Sequence, residues 1–155
     1  MFEIAQLLTP HTVSVHLPGE TKGDVLDHLM ALLQGDERVL DFESVRRAVL
    51  AREAIMSTGV GKGLALPHAK TSAVSGIVAA FATTASPVPY DAIDDEPVRL
   101  LFLLVGPEHA KSEHIKTMSR VSRLMNEAGF RARLLTAKST AEIIALFVES
   151  ERNLG

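Results

Sequence analysis

Val98-Arg-Leu-Leu-Phe-Leu-Leu-Val105 decides the fold: an almost unbroken apolar run, interrupted only by Arg99 and closed by Gly106-Pro107. A run this short and this continuous predicts a strand covered on both faces rather than an amphipathic helix. Ile77 to Thr83 (I-V-A-A-F-A-T) has the same character and predicts a second such strand, with Pro87 and Pro89 marking a loop or edge strand beyond it. Further out on the N-terminal side, Thr12 to Leu17 alternates before Pro18-Gly19, as a short strand entering a turn does. Thr21 then suits an N-cap, with Val25, Leu26, Leu29, Leu32 and Leu33 at helical spacing before Gly35. Asp41 caps a second predicted helix, whose buried stripe is Val45, Ala48, Val49 and Ile55. On the C-terminal side, Ile115, Met118, Val121, Leu124 and Met125 make one apolar helical face, and Ser139-Thr-Ala-Glu142 is a capping box opening a last helix through Phe147. Helices therefore bracket a block of strands. The expectation is a three-layer α/β/α domain with a mixed sheet covered by helices on both faces, because strict βαβαβ alternation is not present.

The 155 residues contain no Ser/Gly linker, charge block or repeat, so 1–155 is expected to be a single domain. The absence of cysteine removes disulfides, thiol nucleophiles and thiolate metal sites, and fits a reducing compartment. A net charge of −3 with dispersed Lys and Arg offers no footprint for nucleic acid or an anionic membrane. Met1 to Leu8 lacks the charge and apolar core of a secretory signal, and no apolar run reaches the ~20 residues of a membrane helix. A cytoplasmic protein without membrane insertion is expected.

The chemistry concentrates in Ser57 to Lys70, S-T-G-V-G-K-G-L-A-L-P-H-A-K, where glycines alternate and a histidine follows a proline. It is not a Walker A loop, which requires Ser or Thr after Gly61-Lys62 and a glycine at the position of Met56. Nor is it a dinucleotide fingerprint, since these glycines follow a helix and lead into a strand. A plain turn using glycine for positive φ is the bland alternative. His68 argues against it. A neutral imidazole just after a short strand offers one nucleophilic nitrogen while the other donates to a carbonyl, as a phosphoryl acceptor requires.

His114 is the second candidate. Ser112 is positioned to cap a helix there and to place His114 in its first turn, where phosphate is favoured, although Glu113 opposes an anion and a solvated first-turn histidine is the alternative. His11, His16, His28 and His109 have no neighbours that suggest chemistry. The spacing of His109 and His114 matches no helical metal pair, and Asp94-Asp95-Glu96 before Pro97 reads as an exposed turn, so neither metal nor cofactor is expected.

Arg52-Glu53, then Ser57-Thr-Gly-Val-Gly61 and Gly63-Leu-Ala-Leu-Pro-His68, continuing through Pro97-Val98 to His114-Ile115, resembles the enzyme IIA domains of the fructose, mannitol and nitrogen-related branch of the bacterial phosphotransferase system. The resemblance implies that His68 accepts a phosphoryl group, with His114 and Arg52 as stabilising partners; Ser57 and Thr58 would supply hydroxyl donors. It further implies an HPr-like histidine phosphocarrier, or its nitrogen-branch counterpart, as donor. A downstream IIB subunit or a regulatory target would receive or sense the group, and no nucleotide is needed. Two departures stand out: Lys62 where an amide is frequent, and Ala69 where glycine is frequent. A cation at Lys62 is expected to strengthen docking of an acidic partner or the hold on phosphate. The absence of cysteine places any cysteine acceptor on a separate polypeptide, and by analogy a free-standing chain of this length favours the nitrogen-regulatory type. The alternatives are a sugar-specific IIA subunit and a regulatory binding module that is never phosphorylated.

Overall fold

The computed structural model describes residues 3–154; Met1, Phe2 and Gly155 lie outside it, so the reading of Met1 to Leu8 is covered only from Glu3 onward. In chain order the elements are α1 (Ile4–Leu7), β1 (Val13–Leu17), α2 (Lys22–Ala31), α3 (Phe42–Ile55), β2 (Gly59–Gly61), β3 (Leu64–Ala65), β4 (His68–Lys70), β5 (Val78–Val88), β6 (Val98–Gly106), α4 (Lys111–Met125), α5 (Ala128–Thr136) and α6 (Thr140–Asn153). The strands form one mixed sheet in the order β1-β5-β6-β3-β2, with β4 also paired to β6. β5 and β6 are antiparallel, while β1 runs parallel to β5 and both β3 and β4 run parallel to β6. Strands β3 and β4 occupy the same edge of β6 end to end, opposite Leu100-Leu101 and Leu104 to Gly106 respectively. The interruption between them is Leu66-Pro67, and the Pro67 carbonyl still accepts the Leu104 N–H at 3.1 Å. His68 is thus the first residue after a break in an otherwise continuous strand position.

Strand periodicity sorts the core into two clusters. Leu100, Phe102 and Leu104 of β6 and Phe81 of β5 pack toward α1, α4, α5 and α6, where Phe147 meets Phe81 and Phe130 edge-on with ring centres 5.3 and 5.1 Å apart. Leu101, Leu103 and Val105, with Val78, Ala80 and Ala82, pack toward α2 and α3 through Leu29, Val45 and Val49. The three-layer architecture with helices on both faces is the one the sequence predicts. No helix among the described residues is long and apolar enough to cross a membrane.

Local differences have identifiable causes. Thr21 and Asp41 cap α2 and α3 through the N–H groups of Asp24 and Ser44. Ser112 does not cap α4: a 3-10 turn at Glu108–Ala110 starts the coil early, and Ala110 takes the cap position without a side-chain bond. Ser139 accepts the Glu142 N–H, but the Glu142 carboxylate accepts from Lys138 instead of closing the box, and α6 continues past Phe147 to Asn153. Strand β5 runs through Pro87, with an irregular register between Thr83 and Val88 that absorbs the missing donor. Ile55, expected in the buried stripe of α3, is 80% exposed because it closes the helix beyond the cover of the sheet. Ile115 is also turned outward, and His114 stands in the buried stripe of α4 beside Thr117, Val121 and Leu124.

Candidate functional site

His68 is half-buried at the start of β4, and its Nδ1 lies 2.8 Å from the Leu66 carbonyl oxygen. A carbonyl only accepts, so Nδ1 carries the proton and Nε2 is left with a free lone pair. The Leu66-Pro67 break creates this arrangement: it turns the Leu66 carbonyl out of the ladder and toward the ring two residues on. The ring borders an open depression of about 720 Å³, whose wall also includes Arg52, Ser57, Val60, Ile93 and Met118. Its rim is apolar, with Met56 69% and Ile93 84% exposed.

The loop beneath the depression is fixed by a buried carboxylate. Glu53, 7% exposed in the last turn of α3, accepts the Thr58 N–H at 2.7 Å, the Thr58 hydroxyl and the Tyr90 hydroxyl at 3.1 Å, and pairs with Lys22 Nζ at 2.9 Å. Burial alone would raise its titration point, but the bonds from Thr58 and Lys22 outweigh that and hold it below the usual carboxylate range. The Lys22 ammonium also lies 4.5 Å from the centre of the Tyr90 ring. Burial, aided by the neighbouring Glu53 charge, pushes the Tyr90 hydroxyl far up, so it remains a donor.

The residues singled out from the sequence divide on this geometry. His68, Arg52 and Ser57 share the depression; one guanidinium nitrogen of Arg52 donates to the Met56 carbonyl at 2.9 Å and so finishes α3. The Ser57 hydroxyl donates to the Tyr90 carbonyl at 2.9 Å and accepts the Gly59 N–H. The Thr58 hydroxyl is buried on Glu53, and its contribution is to the loop's shape. His114 does not line the wall. It lies next to His68, 4% exposed, with ring centres 6.0 Å apart, and neither of its ring nitrogens has a hydrogen-bond partner among the described residues. Burial, with the His68 and Lys70 charges adding to it, pushes its titration point down from 6.5 to about 4. Lys62 Nζ donates to Asn126 at 3.0 Å, beside the mouth rather than over His68. No group of three or more metal-ligating side chains occurs among the described residues.

Three contributors had no role assigned from the sequence: Glu53, quoted there only as part of the motif, Tyr90 under the same loop, and Gly106. A Cβ on Gly106 would stand 2.9 Å from His114 Nδ1, so glycine makes the space for that ring. A buried acid one turn before a glycine-rich loop was the available signal for Glu53; Gly106 gave none beyond ending its strand.

A one-edge strand break that presents a histidine, held through Nδ1 by a backbone carbonyl, on an open, apolar-rimmed depression defines a class: a three-layer α/β domain with an accessible imidazole at one sheet edge. The chain belongs to the family described as phosphoenolpyruvate-dependent sugar phosphotransferase system, EIIA 2, which matches residues 6–150. It is 32% identical over 149 residues to the nitrogen regulatory protein of Pseudomonas aeruginosa, covering 96% of this chain and 97% of that one. It is 33% identical over 150 residues to the fructose-specific EIIABC component of Bacillus subtilis, covering 97% of this chain but only 24% of that much longer protein. The crystal structure of nitrogen regulatory protein IIA-Ntr from Neisseria meningitidis superimposes with a TM-score of 0.87 at 31% identity, covering 93% of this chain and 98% of that one.

Proposed function

We propose that the protein is a histidine phosphoryl carrier: His68 Nε2 takes a phosphoryl group from the phosphohistidine of an HPr-like protein and passes it on, or retains it as a signal. The observation that carries this reading is the Leu66 carbonyl on His68 Nδ1, which leaves Nε2 as the nucleophile at the open side of the ring. The step forms a P–N bond at Nε2 and breaks the donor's P–N bond, whose electron pair returns to the donor imidazole. The depression admits a protein surface, and Met56, Val60 and Ile93 supply apolar contact around the transfer point. Arg52 stabilises the equatorial oxygens from the wall, Ser57 adds a hydroxyl, and His114 supports them from behind.

For the destination we favour a regulatory target of the nitrogen-related branch, supported by the full-length similarity to nitrogen regulatory proteins. The fructose-specific relative supports the second reading, delivery to a IIB subunit in sugar uptake. Neighbouring permease genes would favour uptake, and neighbouring nitrogen-regulator genes would favour regulation. Incubation with phosphoenolpyruvate, enzyme I and the histidine phosphocarrier tests the common step. An acid-labile phosphoryl group should map to His68 and vanish in His68→Ala; an unlabelled protein beside a labelled control acceptor would reduce it to a binding module.

A further inference from the structure

Among the described residues, His114 is the one buried imidazole whose two nitrogens both lack partners. An unpaired buried polar group costs roughly 1–3 kcal/mol, a cost that a functional state supplying the partner would offset. The surroundings define that state. Gly106 admits the ring edge and Ile77 flanks the same glycine, so β6 and the segment before β5 give no charge. From β4, His68 and Lys70 project on the same side of the strand, two residues apart, while Ala69 between them is buried in the core. On α4 itself Lys111, Glu113 and Lys116 are exposed, and in the preceding turn Glu108 and His109 are exposed as well. The charges that act on the ring, His68 once it is itself protonated and Lys70, both repel a proton.

Resting on the carrier reading above, we infer that phosphorylation of His68 is coupled to protonation of His114: the resting site holds a neutral ring, and the phosphoryl dianion draws a proton from solvent onto it. The balance is complete. The phosphoryl group moves from the donor's imidazole to His68 Nε2, Nδ1–H stays on the Leu66 carbonyl, and one solvent proton binds His114. Below the raised titration point of His114, the carrier's charge then changes by up to one unit less than the phosphoryl group alone would bring. An anion a few ångströms from an imidazole raises its titration point by about 1–3 units. Transfer onto the carrier is therefore favoured at lower pH, and the same proton leaves when the group moves on.

The test is an imidazole nitrogen-15 NMR titration of the whole protein before and after phosphorylation, by the enzymatic relay and separately by phosphoramidate, with mass spectrometry locating the group. His114 should titrate near 4 at rest and about 1–3 units higher once His68 is labelled. Lys70→Gln should raise the resting midpoint. His114→Gln, which keeps an N–H donor but cannot take the proton, should be labelled more slowly than wild type and lose the pH dependence of the transfer equilibrium. Labelled His68 with an unmoved His114 midpoint, or an unchanged pH dependence in His114→Gln, overturns the coupling while leaving the carrier reading intact. Labelling by phosphoramidate alone with a raised midpoint would uphold the coupling and sink the relay; no label from either donor would sink both.

Discussion

Lys62 holds φ at 59°, in the left-handed region, because the Gly61–Gly63 turn must bring its N–H to Asp94 Oδ2 at 2.9 Å. An L-residue with a Cβ loses about 1–2 kcal/mol there, whereas asparagine tolerates the conformation through its short polar side chain. Lys62→Asn should therefore stabilise the protein by about 0.5–1 kcal/mol, read as a higher urea midpoint with unchanged slope; a lower midpoint would mean that the ammonium bond to Asn126 outweighs the backbone strain. The opposite sign is expected at Glu53. Its carboxylate accepts three hydrogen bonds and a salt bridge in a buried place, and Glu53→Gln leaves Lys22 without its partner, at a cost of roughly 2–4 kcal/mol by chemical denaturation at neutral pH. Because Glu53 titrates lower in the fold than its ordinary 4.5, its contribution is fully present above that value and is lost as pH falls through the lower folded one. The difference between wild type and Glu53→Gln should accordingly shrink in strong acid.

Strand β6 ends where the site begins. Gly106 pairs with Lys70 of β4 and faces His114 of α4, so this one residue sets the spacing between a strand of the sheet and a helix of the layer packed on it. Gly106→Ala should keep the fold, with a loss of roughly 1–3 kcal/mol from overpacking, and should slow phosphoryl transfer to His68 by displacing the His114 ring. Normal labelling kinetics in a folded Gly106→Ala would show that His114's position is not needed. Elements at this scale also mark how far the sequence could be read. β5 and β6 were plain because burial on both faces writes continuous apolar runs. Strands β2, β3 and β4 are three, two and three residues long, and they exist through pairing with one another and with β6; no local pattern encodes that. The motif around His68 was legible as chemistry, yet the Leu66 carbonyl that fixes its tautomer depends on a strand break visible only once β6 is in place. The helix carrying His114 was foreseen, but not that a 3-10 turn would start it early, with Ile115 turned out and His114 in.

At the scale of the whole molecule, two apolar clusters back the sheet, and the site occupies the end of the sheet where strand β4 and helix α4 meet. Layers that close this tightly place His114 in surroundings as dry as the core, which ties the stability of the entire domain to one titration. The unfolded chain protonates His114 near the usual 6.5, while the folded one resists until about 4. Between those values the unfolded state binds more protons, so stability must rise with pH across that window and fall as the solution is acidified through it. The size of the effect is at most roughly 3 kcal/mol, from the separation of the two values at about 1.4 kcal/mol per unit. His114→Asn, uncharged at every pH, should remove most of this slope while the Glu53 contribution remains at lower pH. Urea unfolding at several pH values between 4 and 7 decides the matter: parallel stability curves for wild type and His114→Asn would show that the ring is hydrated and titrates freely in the fold. A phosphorylated carrier should show the shallower slope even with His114 present, because its folded and unfolded titration points then lie closer together.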